Sequence, residues 1–175
     1  ISKTKLLMDI EELIKKARHS PWSLWKLNFL LHCYIPFNKP HNLNITSIDT
    51  QKVVVKLPYR KSNLNHLKGL HACAMATAAE YASGLLLLYK SGLGKYRIIM
   101  ESLQVSYHYQ GHKDAFATFE MNDQTFQDSV LSPLKKDGVV YVKCKIPLKD
   151  IEGNVLCEVS TNWQIKKWDK VKTKQ

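Results

Sequence analysis

One segment of the chain, residues 69–89, constrains the fold more than any other. Small side chains recur through it, with Leu, Met and Tyr between them and a single acidic residue, Glu80. The small residues are Ala72, Ala74, Ala76, Ala78, Ala79, Ala82 and Gly84. A helix that is apolar nearly all round is buried, and small side chains let a neighbouring sheet approach its backbone closely. The segment therefore predicts a long buried helix with a sheet packed against it.

Alternation of apolar and polar residues predicts strands on both sides of this helix. Val53, Val55 and Leu57, for example, are separated by Val54 and Lys56. The predicted strands lie at about 43–49, 52–59, 102–109, 115–121, 139–146 and 155–165. Between about 125 and 134 we expect a short helix or an irregular excursion. Antiparallel strands layered on one helix give an α+β fold.

The N-terminal segment, residues 1–32, is predicted to be helical. Apolar residues recur at helical spacing from about residue 3 to residue 18, and Ser20-Pro21 is typical of an N-cap followed by a first-turn proline. A second helix then runs through Trp22, Trp25 and Phe29. These rings carry more apolar surface than a lone helix leaves in water, so we expect residues 6–30 to pack on the domain rather than form a separate unit.

Length and composition favour a single domain. The 175 residues suit one core, with the sheet and central helix at about 43–168 and a basic tail at 169–175. We see no segment long and apolar enough to span a bilayer and no signal peptide, so we expect no membrane partner. The four cysteines (Cys33, Cys73, Cys144 and Cys157) form no C-x-x-C pair, so we predict no metal site. Scattered cysteines of this kind are typical of a reducing compartment, so we expect a cytoplasmic location.

The formal net charge of +11 favours anionic partners. The lysines are spread along the whole chain and are dense only in the tail. No recognised nucleic-acid motif accompanies them, so we expect no nucleic-acid partner. A phosphorylated small molecule or an acidic protein remains compatible with the charge.

Three polar residues stand at defined spacing around the start of the central helix. Asn65 lies six positions before His71, and Glu80 lies nine positions after it. This pattern resembles the PaaI-like hotdog thioesterases, whose signature is Asn, five residues, His-Gly-Gly, and an Asp or Glu nine positions after the His. The resemblance extends over about 24–168, with an extra N-terminal helical segment. The chain departs from the signature where Ala72 and Cys73 replace the two glycines.

The resemblance implies a hotdog fold, in which an antiparallel sheet wraps around the central helix. It also implies a homodimer, or a homotetramer built from dimers, that hydrolyses acyl-CoA or acyl carrier protein thioesters without a cofactor. Glu80 would be the general base or nucleophile, and Asn65 would bind the carbonyl or the attacking water. The helix start, with His71, Ala72 and Cys73, would form the oxyanion and substrate-binding site.

Thioester hydrolysis requires residues of these types, independently of the family resemblance. Hydrolysis of a thioester requires an activated water or a carboxylate nucleophile, and donors for the developing oxyanion. Glu80 stands in an apolar helix, where a carboxylate without partners is costly, and the helix start offers free N–H groups. Each residue also has a plain structural interpretation: Glu80 facing solvent, Asn65 forming a turn, His71 a satisfied core histidine. Cys73, in the first helical turn, could be a nucleophile, but no base is identifiable by spacing.

Two other functions remain open. If Ala72 and Cys73 close the pocket, the chain is a non-catalytic acyl-binding or regulatory module; a dehydratase would use His71 with Glu80. Ala72 and Glu80 are separated by eight residues, roughly 12 Å along a helix rising about 1.5 Å per residue. One carbonyl cannot contact both, so we expect a site shared between two chains, with Glu80 from one and Asn65 and the Ala72 amide from the other.

Overall fold

The computed structural model describes residues 3–172, with side chains described from Ile10 onward. The helices are α1 (Lys3–Ala17), α2 (Pro21–Tyr34), α3 (Ala72–Ser91), α4 (Asp123–Phe126) and α5 (Ser132–Asp137). The strands are β1 (Asn44–Ile48), β2 (Lys52–Leu57), β3 (Arg97–Tyr107), β4 (Ala115–Glu120), β5 (Val139–Asp150) and β6 (Val155–Lys166). The excursion expected near 125–134 is helical throughout, since a π-helical turn joins α4 to α5. The predicted basic tail lies partly outside the described residues.

The six strands form one antiparallel sheet in the order β1-β2-β4-β5-β6-β3. Burial alternates strictly along β2, β4 and β5, so every second side chain enters the core. The helix α3 packs against β2 to β6. The α+β arrangement of a sheet around one long central helix is confirmed.

The central helix is buried as its small residues predicted. Ala78, Ala79 and Ala82 have no exposed surface. At Gly84 an added Cβ would lie 2.8 Å from the ring of Trp163 on β6, so only glycine permits this approach. The helix ends at Gly92, whose φ of +84° favours glycine.

The expectation that no segment could span a bilayer needs a correction. By length and composition α3 could cross a membrane, with a mean hydropathy of 1.2 over an 18-residue window. The run of large apolar residues at its end is too short by itself, but the alanines before it extend the apolar stretch to the full helix. In the fold, 61% of the residues in that window are buried inside the domain, which is typical of a core helix.

The second helix covers one edge of the sheet. Asn28 of α2 donates from Nδ2 to the carbonyl of Ile45 (2.9 Å), and its Oδ1 accepts from the Ile45 amide (2.7 Å). His32 contacts the carbonyl of Leu43 at 2.7 Å. These side chains satisfy backbone groups of β1 that an edge strand would otherwise leave open to another chain.

The N-terminal helices contact the rest of the domain as expected, but not through the aromatic residues on which the expectation depended. Leu27 and Leu31 face the core, whereas Trp22, Trp25 and Phe29 are 62%, 57% and 57% exposed. The cause is helical spacing: these rings share the side of α2 turned away from the core. The helical segment also runs two residues further than predicted, to Tyr34.

The opposite edge of the sheet is uncovered in the single chain. Strand β3 pairs with β6 along one side and has no strand on its other side within residues 3–172. It is eleven residues long, and none of them is fully buried. An edge of this length is a template for pairing with another chain.

Candidate active site

The candidate site lies between the exposed side of α3 and the inner face of β3. Leu103, Val105 and Tyr107 pair with buried positions of β6, which places their side chains on the face of the sheet that carries α3. The Tyr107 hydroxyl donates to the carbonyl of Ala72 at the start of α3, at 3.0 Å. Leu103 and Tyr107 nevertheless remain 36% and 48% exposed, because α3 only partly covers the edge strand. The result is an apolar strip beside the helix.

Glu80 lies three residues before Ser83 and four before Gly84, on the side of α3 that faces β6, the neighbour of β3 in the sheet. It is partly buried, and its carboxylate has no hydrogen-bond or ion-pair partner among the side chains described from Ile10 onward. Burial alone raises the pKa of Glu80 from 4.5 to about 6. The group is therefore mostly ionised at neutral pH yet basic enough to accept a proton, which is the property of a general base.

The turn of α3 that carries Glu80 is held to β6 by two hydrogen bonds. Ser83 is fully buried, and its hydroxyl donates to the carbonyl of Glu80 at 3.1 Å. The indole Nε1 of Trp163 donates to the same hydroxyl, also at 3.1 Å. These bonds fix Glu80 to β6, and the sequence carried no signal for them because the partners are eighty residues apart in the chain.

At the start of α3, the amide of Cys73 is hydrogen-bonded within the described part of the fold and the amide of Ala72 is not. His71 is the N-cap, and its Nδ1 accepts from the amide of Cys73 at 3.1 Å. Its carbonyl accepts from the Met75 amide at 3.1 Å. The amide of Ala72 has no acceptor among the described residues, so it is free to bind an oxyanion, while that of Cys73 is not.

His71 thus has a structural role that constrains its protonation. A ring nitrogen can accept the Cys73 amide only when it carries no proton. The ring is also about two and a half helical turns from Glu80 of the same chain, so the two form no His–Glu pair within one chain. His71 is exposed and caps the helix, so the expectation of a satisfied core histidine is wrong.

Asn65 holds the loop that precedes the helix. Its Oδ1 accepts from the amides of Leu67 (2.9 Å) and Gly69 (3.1 Å), and Tyr59 donates to the carbonyl of Lys68 at 2.6 Å. This is the turn-forming role weighed for Asn65. The Nδ2 group donates no hydrogen bond within the described residues, so Asn65 can present it to a substrate.

A neighbouring asparagine was not predicted at all. Asn63 is fully buried and donates to the carbonyls of His41 and Pro58, both at 2.9 Å, while its own carbonyl accepts from the His71 amide. It therefore ties the loop to the chain before β1 and to the helix start. Nothing in the local sequence distinguishes it from Asn65.

An apolar cavity of about 370 Å³ lies at the far end of α3 from its N-terminus. It is lined by side chains of α1, α2, α3 and the start of β3, among them Ile10, Leu31, Leu85, Leu88 and Ile98. Leu88 is two turns beyond Glu80 on α3, roughly 12 Å along the axis. The added N-terminal helices thus form one wall of an apolar compartment next to the candidate site.

The remaining reactive side chains are distributed as follows. Cys33 and Cys73 are exposed, while burial raises the pKa of the Cys144 and Cys157 thiols to about 12 and about 11, which leaves them inert. The interpretation of the cysteines as small hydrophobes holds for the second pair alone. No three His, Cys, Asp or Glu side chains of the described chain converge to hold a metal ion.

Solved structures share this architecture at low sequence identity. A protein of unknown function from Pseudomonas aeruginosa, called a probable thioesterase, is 18% identical, with a TM-score of 0.74 over 80% of this chain and 93% of its own. A thioesterase from Haemophilus influenzae is 11% identical, with a TM-score of 0.64 over 82% of this chain and 90% of its own. A protein of unknown function from Chlorobaculum tepidum is 14% identical, with a TM-score of 0.71 over 86% and 99%. The likeness confirms the predicted hotdog fold.

Sequence similarity extends to one family. No curated protein matches the chain. The profile of the domain of unknown function DUF4442 matches residues 25–165, which include α3, nearly the whole sheet and most of α2. The match spans far more than half of the chain, so this hotdog protein belongs to the DUF4442 family.

Proposed function

We propose that the protein is an acyl thioester hydrolase that works as a homodimer, with Glu80 as its general base or nucleophile. The observation that carries the proposal is the state of Glu80. Its carboxylate is partly buried and unpartnered among the described residues, with a pKa raised to about 6 beside an exposed apolar strip. An unpaired carboxylate costs stability, so its retention in a core helix is explained by chemistry better than by packing.

In the base mechanism Glu80 takes a proton from a water molecule as the water oxygen adds to the thioester carbonyl. The negative charge that develops on the carbonyl oxygen is stabilised by the Ala72 amide and the positive end of the α3 dipole. Collapse of the tetrahedral intermediate breaks the C–S bond, and the thiolate takes the proton from Glu80. In the nucleophile mechanism the carboxylate itself attacks the carbonyl carbon, and breakage of the C–S bond expels the thiolate and leaves an anhydride. Water then hydrolyses the anhydride to the free acid and the Glu80 carboxylate, and the proton released in this step goes to the thiolate.

The two halves of this machinery lie too far apart to serve one carbonyl within a chain. Ala72 and Glu80 are roughly 12 Å apart along α3, whereas catalytic contacts are about 3 Å. The open edge of β3 offers the solution, because antiparallel pairing of two β3 strands about a two-fold axis would set two α3 helices side by side. Each site would then combine Glu80 of one chain with Asn65 and the Ala72 amide of the other.

The proposed substrate carries a phosphopantetheine arm, as acyl-CoA or acyl carrier protein does. The net charge of +11 favours its phosphates or an acidic carrier. The apolar cavity beyond Glu80 suits the acyl part. With C–C bonds of about 1.5 Å, an extended chain of roughly ten carbons covers the distance from Glu80 to Leu88. Medium or long acyl chains are therefore preferred over acetyl.

One observation keeps the non-catalytic acyl-binding module as a second candidate. Ala72 and Cys73 place side chains where the resembled signature has glycines, and Cys73 is exposed at the mouth of the site. A Cβ at either position narrows the approach of a thioester to the Ala72 amide. Binding without turnover would be the consequence.

A thiol-release assay over acyl-CoA chain lengths decides between the two. The hydrolase proposal predicts turnover that rises with chain length, falls tenfold per pH unit below about pH 6, and is lost in Glu80→Gln. Glu120→Gln, an exposed glutamate on β4, serves as the matched control and retains activity. Tight acyl-CoA binding with no thiol release in the wild type would establish the binding module instead.

A further inference from the structure

Three aromatic rings form an exposed surface on α2 that the proposed active site does not use. The indoles of Trp22 and Trp25 stack at 5.0 Å with an interplanar angle of 8°, and Trp25 stacks on Phe29 at 6.0 Å and 16°. All three are more than half exposed. We call these three residues the aromatic face. Stacked rings of this kind are a costly surface to leave in water, which indicates a partner.

The chain around the aromatic face is uniformly basic. From Leu13 to Ile48 there is no acidic residue, and the segment carries Lys15, Lys16, Arg18, Lys26 and Lys39. Lys15 and Lys16 pair with Glu11 and Glu12, but the other three have no acidic partner among the described residues. The Lys26 ammonium lies over the Trp22 ring, 5.1 Å from its centroid. The partner is therefore expected to be anionic.

The position of the aromatic face separates it from the candidate site. Helix α2 lies against β1, at one end of the sheet order, whereas β3 and its open edge are at the other end. Backbone pairing of two β3 strands uses no residue of the aromatic face, although the C-terminal part of α2 lines the apolar cavity together with the start of β3. The face is thus available in the proposed dimer.

Its size and charge argue against a second copy of this chain as the occupant. Aromatic side chains offer about 150–250 Å² each, so at exposures of 57–62% the three rings present roughly 350 Å². A stable protein interface buries about 800 Å² on each partner. In a two-fold contact through this face, the local basic residues Arg18, Lys26 and Lys39 of one copy would also meet the same residues of the other, with no acidic residue nearby in the segment to pair with them.

We propose that the aromatic face inserts into the interface of an anionic lipid bilayer and holds the protein at the membrane surface. A short helix with Trp and Phe on one side and unpaired basic residues around it has the composition of interfacial helices, which bury their apolar side at the boundary of headgroups and acyl chains. The lysines and the arginine add attraction to the anionic headgroups. This surface association replaces the sequence-based expectation of no membrane partner, which considered only spanning segments.

Vesicle flotation tests the proposal with the full-length protein. The probes are vesicles of phosphatidylglycerol mixed with phosphatidylcholine, and vesicles of phosphatidylcholine alone. The test variant is Trp25→Gln/Phe29→Gln, and the matched control is Ile151→Gln, which removes an apolar side chain of 62% exposure from the turn between β5 and β6. Circular dichroism verifies that each variant is folded.

The wild type and Ile151→Gln are expected to float with the anionic vesicles, less so as salt is raised. The double variant should partition at least about tenfold more weakly, because two rings no longer leave water. Flotation of the double variant like the wild type would overturn the proposal, as would equal binding to pure phosphatidylcholine or no binding to either vesicle. Self-association of the wild type without vesicles, lost in the double variant, would show that a second copy covers the face. The proposed hydrolase activity is not involved in any of these outcomes.

Discussion

Replacing Glu80 by Gln should stabilise the protein at neutral pH while it abolishes activity. The folded-state pKa of Glu80 is about 6, against 4.5 for the unperturbed group. Each unit of difference is worth about 1.4 kcal/mol, so burial of the ionised carboxylate costs up to about 2 kcal/mol at pH 7 and above.

The sign of the pH dependence follows from the raised pKa. The folded state binds the Glu80 proton more tightly than the unfolded chain does. The stabilising contribution of that proton is fully present below pH 4.5 and is lost as the pH rises through about 6. A glutamine side chain never ionises, so the Glu80→Gln variant escapes this loss. Wild type and variant should therefore have similar free energies of unfolding below pH 4.5, diverge as the pH rises from 4.5 to about 6, and keep a constant difference at higher pH.

Urea denaturation of both proteins at a series of pH values measures the difference, at one fixed protein concentration because association contributes to apparent stability. Glu120→Gln is the control, since its side chain is 62% exposed and surface changes of this kind alter stability by less than about 0.5 kcal/mol. Parallel pH profiles for wild type and Glu80→Gln would show that Glu80 is not buried as an unpaired carboxylate. The assignment of Glu80 as the base would then lose its basis.

Three further outcomes follow from the structure. Gly84→Ala should lower the free energy of unfolding by about 1–3 kcal/mol, since its Cβ would lie 2.8 Å from the ring of Trp163; an unchanged denaturation midpoint would contradict that packing. Asn63→Ala should cost about 1–3 kcal/mol because the partly buried carbonyls of His41 and Pro58 lose their donor, and a neutral effect would mean that water replaces it. Raising salt should raise the KM for acyl-CoA and leave kcat nearly unchanged, and a salt-independent KM would remove the electrostatic part of substrate binding.

The sequence predicted those parts of the fold that local pattern determines. The small residues of α3 indicated a buried helix because no other element tolerates such a run, and the alternation at Val53, Val55 and Leu57 indicated a strand with one buried face. The order of the strands in the sheet could not be predicted from local pattern. Strand β3 pairs with β6 rather than with β4, and only this long-range choice makes β3 a free edge beside Glu80.

The sequence predicted which residues belong to the candidate site, but not the hydrogen bonds that they make. Spacing identified Asn65, His71 and Glu80, but the division of labour among them depends on individual hydrogen bonds, such as the one that commits the Cys73 amide to the His71 ring. The expected packing of residues 6–30 depended on Trp25 and Phe29, but both are exposed. Apolar composition indicates that a side chain favours burial, but it does not indicate whether the same domain or a partner buries it.

Subunit complementation tests the shared active site most directly. Glu80→Gln and Asn65→Asp are chosen because each removes a reactive group, and the aspartate that replaces Asn65 keeps the oxygen that accepts from the Leu67 and Gly69 amides. Each variant alone should form nearly inactive, folded homodimers. After verified exchange of subunits, each heterodimer contains one site with both lesions and one site with neither, so thiol release should recover to about half of the wild-type rate per heterodimer. If exchange is complete and no activity returns, each site lies within one chain and the shared-site model is wrong.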